Sequence, residues 1–290
     1  MKIKHPYILS ILCTGLFSTS ASATLIASDS FVTTGGDAYN VDRIYGQSPT
    51  DGTSGFDGAT TWGGGFNTGD IQVNASGLTS SLSVGTGGSV LASNGSDRNV
   101  YRAFDSFSPT DTTYYFSALF QVPNSGEATT KGAVGIASAS SGNTADPVNG
   151  VMIGTNAKSA GTGDNTFSLW VDGNELEMTG TYTDGTTYFG LIEINNSSSG
   201  NDTITANIYS ASATDFSSSL GTATTSAYDI SSELVGFEIH KDYALSNSLQ
   251  YDELRFGTEL SDVSTIPEPS SIMMLVMGFG LVGFMVRRRK

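Results

Sequence analysis

The chain has 290 residues, of which 28 are acidic and 13 basic, and its formal net charge is −15. Such an acidic surface repels phosphate backbones, which argues against nucleic acid as a partner. The single cysteine, Cys13, cannot form an intramolecular disulfide. No break in composition divides the chain, so one large domain is predicted between the two ends.

The first 23 residues have the three-part layout of a secretory signal peptide. Two lysines precede an apolar run over residues 8–17, and small residues follow it. Ala21 and Ala23 fit the small-x-small rule for cleavage, so we predict a mature chain that begins near Thr24. The alternative is a buried N-terminal helix. The signal-peptide interpretation predicts passage through the export machinery.

Residues 24–263 have the pattern of strands joined by polar loops. Gly, Ser, Thr and Asn dominate the spacers, and the stretches between them alternate apolar with polar side chains. The clearest alternation is at residues 113–122, and one buried face per strand is the usual cause. The same alternation recurs at residues 166–172, 202–210 and 233–240.

Turn signals and the lack of helical periodicity complete the fold prediction. Asp172 and Gly173 form a two-residue hairpin signal between two apolar runs. Between the leader and the tail, no window shows a convincing helical period. Ten or more short strands in one domain predict an all-β fold, an antiparallel β-sandwich of jelly-roll type over residues 24–263.

The segments VYRAFDS, YYFSALFQV, GVMIGT, FSLWVDG and LQYDELRFGTELSDV follow one another along this domain. The series resembles the concanavalin/laminin-G-like jelly rolls, in which the closing strand commonly reads Asp-Glu-Ile-Arg-x-Gly. Here the corresponding stretch is DELRFG, residues 252–257. The resemblance implies that one sandwich extends from about residue 25 to residue 263.

Two acid pairs are candidates for chemistry. Asp252 and Glu253 are adjacent, so their side chains point to opposite faces of a strand. The apolar residues before this pair and those after it fall on opposite faces, which predicts a bulge at the pair. A structural role, including a salt bridge to Arg255, and a catalytic role both stay open. A glycosidase needs two carboxylates on one face, about 5 to 9 Å apart. Glu175 and Glu177 are the weak same-face candidates, and no catalytic residue is assigned.

One histidine and two tryptophans remain after the leader. His240 lies on the same strand face as Glu238, opposite the apolar residues, which predicts that it is solvated. A catalytic triad or a histidine-based metal site needs more partners than one histidine offers. Trp62 lies in a glycine-rich segment and is the candidate for stacking on a sugar, ahead of Trp170. Core packing is the alternative for both rings.

Aspartates are frequent in the predicted loops and supply hard oxygen ligands of the kind that Ca²⁺ prefers. Their spacing does not match an EF-hand loop, so turn chemistry and a calcium site both stay open, and no other cofactor is predicted. The aspartates concerned are Asp51, Asp57, Asp70, Asp97, Asp146, Asp164, Asp184 and Asp202.

The tail, residues 264–290, differs from the domain before it. Residues 272–286 carry no charge or strongly polar side chain and would form a helix of about 22 Å, somewhat shorter than a hydrocarbon core of about 30 Å. Flanking arginines that snorkel extend such a span. A transmembrane helix is therefore predicted. A basic cluster would hold its end in the cytoplasm: Arg287, Arg288, Arg289 and Lys290.

Pro267, Glu268 and Pro269 precede this helix. Two prolines favour an extended backbone that a processing enzyme can reach. The order of short motif, membrane helix and basic cluster resembles the PEP-CTERM sorting signal. This resemblance implies that an exosortase acts at the Pro-Glu-Pro region, and that an inner-membrane precursor passes to the cell surface or extracellular matrix. A permanent single-pass anchor is the alternative.

Two functions fit these patterns. The first is an exported, exosortase-sorted surface or matrix protein that is not an enzyme and is associated with extracellular polysaccharide. The second is a secreted polysaccharide-degrading enzyme on the same fold. Carboxylates aligned on one concave face would favour the second.

Overall fold

The computed structural model describes residues 24–266, apart from residues 57–59, 65–70, 84–86, 93–97, 106, 108, 111, 123–130, 140–146, 158–164, 198, 231, 233 and 242–247. The predicted signal peptide, with Ala21 and Ala23, lies outside the described residues. The tail from Pro267 to Lys290 does too, with the Pro-Glu-Pro motif, the predicted span and the basic cluster. Within the described ranges, no helix has the length and apolar composition needed to cross a bilayer.

The described residues form fifteen strands and one short helix. Alternating apolar residues and polar turn residues account for these elements, as the sequence predicts. The elements are β1 Leu25–Asp29, β2 Thr53–Ser54, β3 Ile71–Asn74, β4 Ser89–Ala92, β5 Arg98–Ala103, β6 Thr113–Gln121, β7 Lys131–Ile136, β8 Val151–Ala157, β9 Asn165–Val171, β10 Asn174–Thr181, β11 Thr187–Asn195, β12 Asp202–Ser210, β13 Gly221–Tyr228, β14 Gly236–Lys241, β15 Leu249–Gly257 and α1 Leu260–Val263.

The strands are arranged in two antiparallel sheets. The nine-stranded sheet has the order β13-β12-β11-β6-β15-β1-β2, with β4 paired to β15 and β3 paired to β4. The six-stranded sheet has the order β10-β9-β8-β7-β14-β5. Neighbours in each sheet are often distant in sequence, as in a jelly roll. The predicted all-β antiparallel sandwich is confirmed.

The main core lies between the two sheets and consists of every second side chain of the strands. Phe116 of the nine-stranded sheet lies 5.9 Å from Phe237 of the six-stranded sheet, measured between ring centroids. Phe120 faces Phe167 at 6.1 Å in the same way. Each buried ring of this size contributes about 1.5–3 kcal/mol, so facing aromatic residues are a main source of stability.

The outer face of the nine-stranded sheet is covered by a second apolar cluster. Residues 76–83 and helix α1 cross this face, and Leu82 and Val263 pack there against Leu119 and other apolar side chains of the sheet. The Ser117 hydroxyl donates to the Val263 carbonyl at 2.7 Å, which ties the helix to β6. The chain therefore closes part of this face with its own residues.

The β9–β10 hairpin is the turn that the sequence predicts. Asp172 and Gly173 have φ values of 47° and 77°, the left-handed conformations that a tight two-residue turn between antiparallel strands requires. The resulting register pairs Glu175 with Trp170 and Glu177 with Ser168. Both glutamates therefore lie on the outer face of the six-stranded sheet.

Candidate functional site

The outer face of the six-stranded sheet brings polar side chains from four adjacent strands together. We call Lys131 of β7, Asn156 of β8, Ser168 of β9 and Glu175 of β10 the Glu175 patch. The Asn156 amide donates to Glu175 Oε1 at 2.5 Å, and the Ser168 hydroxyl donates to the same oxygen at 2.7 Å. Lys131 Nζ lies 3.8 Å from Glu175 Oε2. The patch is thus a hydrogen-bonded row with one carboxylate and one ammonium group.

The charged groups of the Glu175 patch remain open to solvent. The side chains of Lys131 and Glu175 are 18% and 27% exposed. Trp170 lies beneath them, with its ring centroid 5.9 Å from Lys131 Nζ, and is almost fully buried. A buried ring supports the ammonium from below but cannot itself stack on a ligand. Core packing, one of the two interpretations given for Trp170, is the one that the structure shows.

Acid–base side chains lie on the same outer face, on β14 and β5. His240 Nδ1 lies 3.7 Å from Glu238 Oε1, and both side chains are fully buried. The prediction of a solvated His240 is wrong, because its side chain has no exposed area: strand parity places it on the outer face, but burial depends on what packs against that face. Tyr101 is paired with Glu238. Burial, and then the charge of Glu238, raises the pKa of Tyr101 to about 12.

Trp62 is not at the surface. The ring has no exposed area and lies in the main core, 6.3 Å from the Phe31 ring between centroids. Its indole N–H donates to the Tyr39 hydroxyl at 2.6 Å, which satisfies its polar atom inside the fold. The prediction that Trp62 contacts a glycan is therefore wrong, because its ring is packed in the core and its N–H is already bonded there.

The Tyr39 hydroxyl that accepts from Trp62 belongs to a buried charge cluster. The hydroxyl donates to Asp29 Oδ2, and Arg102 Nη1 lies 3.4 Å from the same oxygen. Arg102 also donates to the Pro49 carbonyl at 3.1 Å. Burial raises the pKa of Asp29 to about 6, although the charge of Arg102 opposes this rise. We call Asp29, Tyr39, Trp62 and Arg102 the Asp29 cluster.

The bulge predicted at Asp252 and Glu253 is present in β15. The register between β15 and β6 shifts between Asp252 and Arg255, and Glu253 has a left-handed φ of 51°. Asp252 accepts the backbone N–H groups of Leu78 and Glu253, each at 2.7 Å. The Ser30 hydroxyl donates to Glu253 Oε2 at 3.1 Å. Both acids are buried; Asp252 holds neighbouring backbone and Glu253 holds the Ser30 side chain, which supports the structural interpretation.

The described ranges contain no group of three or more His, Asp or Glu side chains arranged to hold a metal ion. Three of the eight loop aspartates are described. Asp202 accepts the backbone N–H groups of Ser197 and Ile230, so it stabilises a turn. Asp51 accepts the backbone N–H of Asp37 at 2.9 Å. Asp184 is the third described aspartate of this set. Asp57, Asp70, Asp97, Asp146 and Asp164 lie outside the described residues.

Lys131, Asn156 and Ser168 are functional candidates that the sequence does not single out. Each is an ordinary polar residue at an outward strand position, and the segments are separated along the chain. Only the register of β7, β8 and β9 places them beside Glu175. One sequence feature could have pointed to them: each of these four consecutive strand segments has a polar residue at an outward position.

Comparison with known proteins bears on both the tail and the fold. Residues 265–290 match the family model described as the PEP-CTERM protein-sorting motif. No curated protein sequence matches the chain. The match confirms the predicted sorting motif. It indicates an exported, membrane-anchored precursor that is sorted to the cell surface, with exosortase as the processing partner.

Solved structures share the sandwich. The marine PL-14 alginate lyase from Aplysia kurodai is 9% identical with a TM-score of 0.52, and the match covers 82% of this chain and 100% of that one. Alginate lyase Aly36B is 13% identical with a TM-score of 0.44, over 81% and 97% of the chains. A lectin from Bauhinia forficata is 10% identical with a TM-score of 0.38, over 66% and 93%. Only the first score exceeds 0.5, and at this identity it supports a jelly-roll-like fold alone.

Proposed function

We propose that this chain, which carries a PEP-CTERM sorting motif, is an exosortase-sorted surface or matrix protein with a concanavalin/laminin-G-like sandwich. The sandwich associates with extracellular polysaccharide and does not cleave it. The observation that carries the polysaccharide assignment is the Glu175 patch, in which a partly exposed carboxylate and ammonium group are held in place by an amide and a buried hydroxyl on the outer face of the six-stranded sheet.

The chemistry of the patch suits sugar hydroxyls. A carboxylate accepts hydrogen bonds, an ammonium donates them and an amide does both, which matches the mixed hydrogen bonding of a glycan. The Glu175 carboxylate is already held by Asn156 and Ser168, so little side-chain entropy is lost on binding. Single contacts of this kind are weak. Many copies on one surface would raise the avidity about 10²- to 10⁴-fold.

The non-enzymatic assignment rests on where the acid–base groups lie. Glu238 and His240 are fully buried, whereas the exposed carboxylate of the patch is held by three polar partners. A general acid or base must come within hydrogen-bond reach of the substrate. In this arrangement the exposed groups bind and the histidine is enclosed.

Polysaccharide cleavage is the second candidate function, and one observation favours it. Tyr101, Glu238 and His240 share the outer face with the Glu175 patch, so a rearrangement that opens β14 would place acid–base groups beside a bound glycan. Cleavage would produce new chain ends. It would also depend on the imidazole of His240.

Retention on the host's own exopolysaccharide tests the binding function. Lys131→Met and Glu175→Gln are expected to weaken retention of the purified protein about tenfold. Glu193→Gln, on the nine-stranded sheet, is the matched control and is expected to change nothing. Equal retention of all variants would contradict the assignment of this face. New reducing ends that disappear in His240→Asn would replace the binding function with cleavage.

Processing of the tail tests the sorting function. Glu268→Ala is expected to leave full-length protein in the inner membrane, because the predicted span and its cations would still stop transfer. The wild-type protein recovered from the surface is expected to lack tail peptides by mass spectrometry. Intact tail peptides in that fraction would instead show a permanent anchor.

A further inference from the structure

A shallow cavity of about 420 Å³, largely open to solvent, lies on the opposite side of the sandwich from the Glu175 patch. It is formed where the segment 76–83 meets the start of β11 and the end of β12. All its lining side chains are small, and all but one carry a hydroxyl. They are Thr79, Ser81, Thr186, Thr187, Ser210, Ala211 and Ser212.

The geometry points to a binding site for a neutral sugar residue in this cavity, which we call the hydroxyl cavity. Each lining hydroxyl donates one hydrogen bond and accepts others, as the hydroxyls of a pyranose do. The threonine methyls and Ala211 supply apolar contacts for the C–H groups of the ring. The volume falls within the range of about 300–1,000 Å³ that is usual for small-molecule sites.

The walls of the hydroxyl cavity are held by hydrogen bonds from three parts of the chain. The backbone N–H of Ser81 donates to the Ala211 carbonyl at 2.9 Å, and the Ser80 hydroxyl donates to the same oxygen at 2.9 Å. The Gln121 amide donates to the Thr187 hydroxyl at 3.1 Å. The site is therefore formed before a ligand arrives, which lowers the entropy cost of binding.

The lining carries no charged side chain, and this selects the class of ligand. A phosphate, a sulfate or a uronate carboxylate would lose water on entering and find no cation to pair with. The net charge of the chain, −15, adds a general repulsion of anions. A cation would find no carboxylate. A neutral hexose or pentose unit satisfies the site without an uncompensated charge.

Two binding faces on opposite sheets would allow one molecule to contact two glycan chains. This consequence rests on the proposed binding function of the Glu175 patch, whereas the hydroxyl cavity itself does not. A protein with two such sites would cross-link polysaccharide when both are occupied. The avidity would then depend on the distance between the two glycan chains.

Ligand-observed and protein-observed NMR on the full mature protein tests the cavity. The probes are methyl glycosides of glucose, galactose, mannose, N-acetylglucosamine and xylose, with glucuronate and glucose phosphate as charged comparisons. At least one neutral glycoside is expected to bind in the millimolar range and to shift resonances of the cavity residues, while the charged sugars bind at least about tenfold more weakly.

Substitutions locate the site. Ser81→Tyr and Thr186→Tyr place a bulky ring at exposed or half-exposed positions of the cavity, and each is expected to weaken binding at least about tenfold. Thr203→Tyr, at an exposed-face position elsewhere on β12, is the control and is expected to bind as wild type. Absence of binding by all five neutral probes would overturn the proposal. So would equal binding of the charged sugars, or shifts confined to the Glu175 patch.

Discussion

Each face of the six-stranded sheet carries a cation that pairs with a carboxylate: Asp29 of the nine-stranded sheet on the inner face, and Glu175 of the six-stranded sheet itself on the outer face. On the inner face, Arg102 lies 3.4 Å from Asp29, and both side chains are fully buried. On the outer face, Lys131 lies 3.8 Å from Glu175, and both side chains are partly exposed. The two pairs therefore place a carboxylate and its cation in settings of very different burial.

The difference separates structural charges from charges that are available to a partner. Buried ions lose their hydration, so the Asp29 cluster supplies further hydrogen bonds from Tyr39 and from the Arg102 guanidinium to the Pro49 carbonyl. Exposed ions keep most of their hydration and interact weakly with each other. The outer pair can thus exchange its contacts for those of a ligand at a low cost in free energy.

Removing the cation from each pair tests this comparison most strongly. Arg102→Met leaves Asp29 buried without its partner, so we expect a loss of about 3–5 kcal/mol in the free energy of unfolding. The matched variant, Lys131→Met, is expected to lose less than about 1 kcal/mol, because its carboxylate remains solvated. Urea denaturation measures both. Losses of similar size would contradict the distinction between the two faces.

The dependence of stability on pH tests the proton held by the buried carboxyl of Asp252. Burial, with the nearby charge of Glu253, raises the pKa of Asp252 from its ordinary value of 3.8 to about 8. The folded state therefore holds this proton more tightly than the unfolded state, and stability is lost as the pH rises towards 8. For Asp252 the expected loss between about pH 6 and pH 8 is about 2 kcal/mol.

An amide variant tests this effect. Asp252→Asn is expected to reduce the fall in stability over this pH range. Urea denaturation at several pH values measures the difference from wild type. An unchanged slope in Asp252→Asn would show that the proton is not held by this carboxyl.

The smallest expected effect concerns the hairpin that presents Glu175. Gly173 has a φ of 77°, which an L-residue adopts at a cost of about 1–2 kcal/mol, so Gly173→Ala is expected to destabilise by that amount. Gly36→Ala is the matched control, since Gly36 has no left-handed φ and a Cβ there meets nothing within 4 Å. Thermal unfolding measures both. Equal effects would mean that the turn conformation does not limit stability.

Several elements could be predicted from the sequence because their causes are local. Alternation identifies strands such as β6 and β9, and the Asp172-Gly173 pair identifies the hairpin, since backbone conformation at a tight turn depends on those two residues. The parity change at Asp252 and Glu253 identifies the bulge for the same reason. The sorting motif is also local, because it is a contiguous stretch of chain.

Exposure could not be predicted in the same way. His240 has the parity of an outward residue, yet its side chain is fully buried. Trp62 is in a glycine-rich segment that resembles a loop, yet its ring is in the core. Parity identifies the residues that share a face, whereas burial depends on what else packs against that face.

By itself, the sequence determined the all-β class, the hairpin and bulge positions and the sorting motif, because each depends on residues close together in the chain. The tertiary structure alone decided which polar residues meet. Lys131, Asn156, Ser168 and Glu175 come from four strands, and Asp29 reaches Arg102 across 73 residues of chain. Such contacts depend on strand order and register, which arise when the whole core packs and which no single segment encodes.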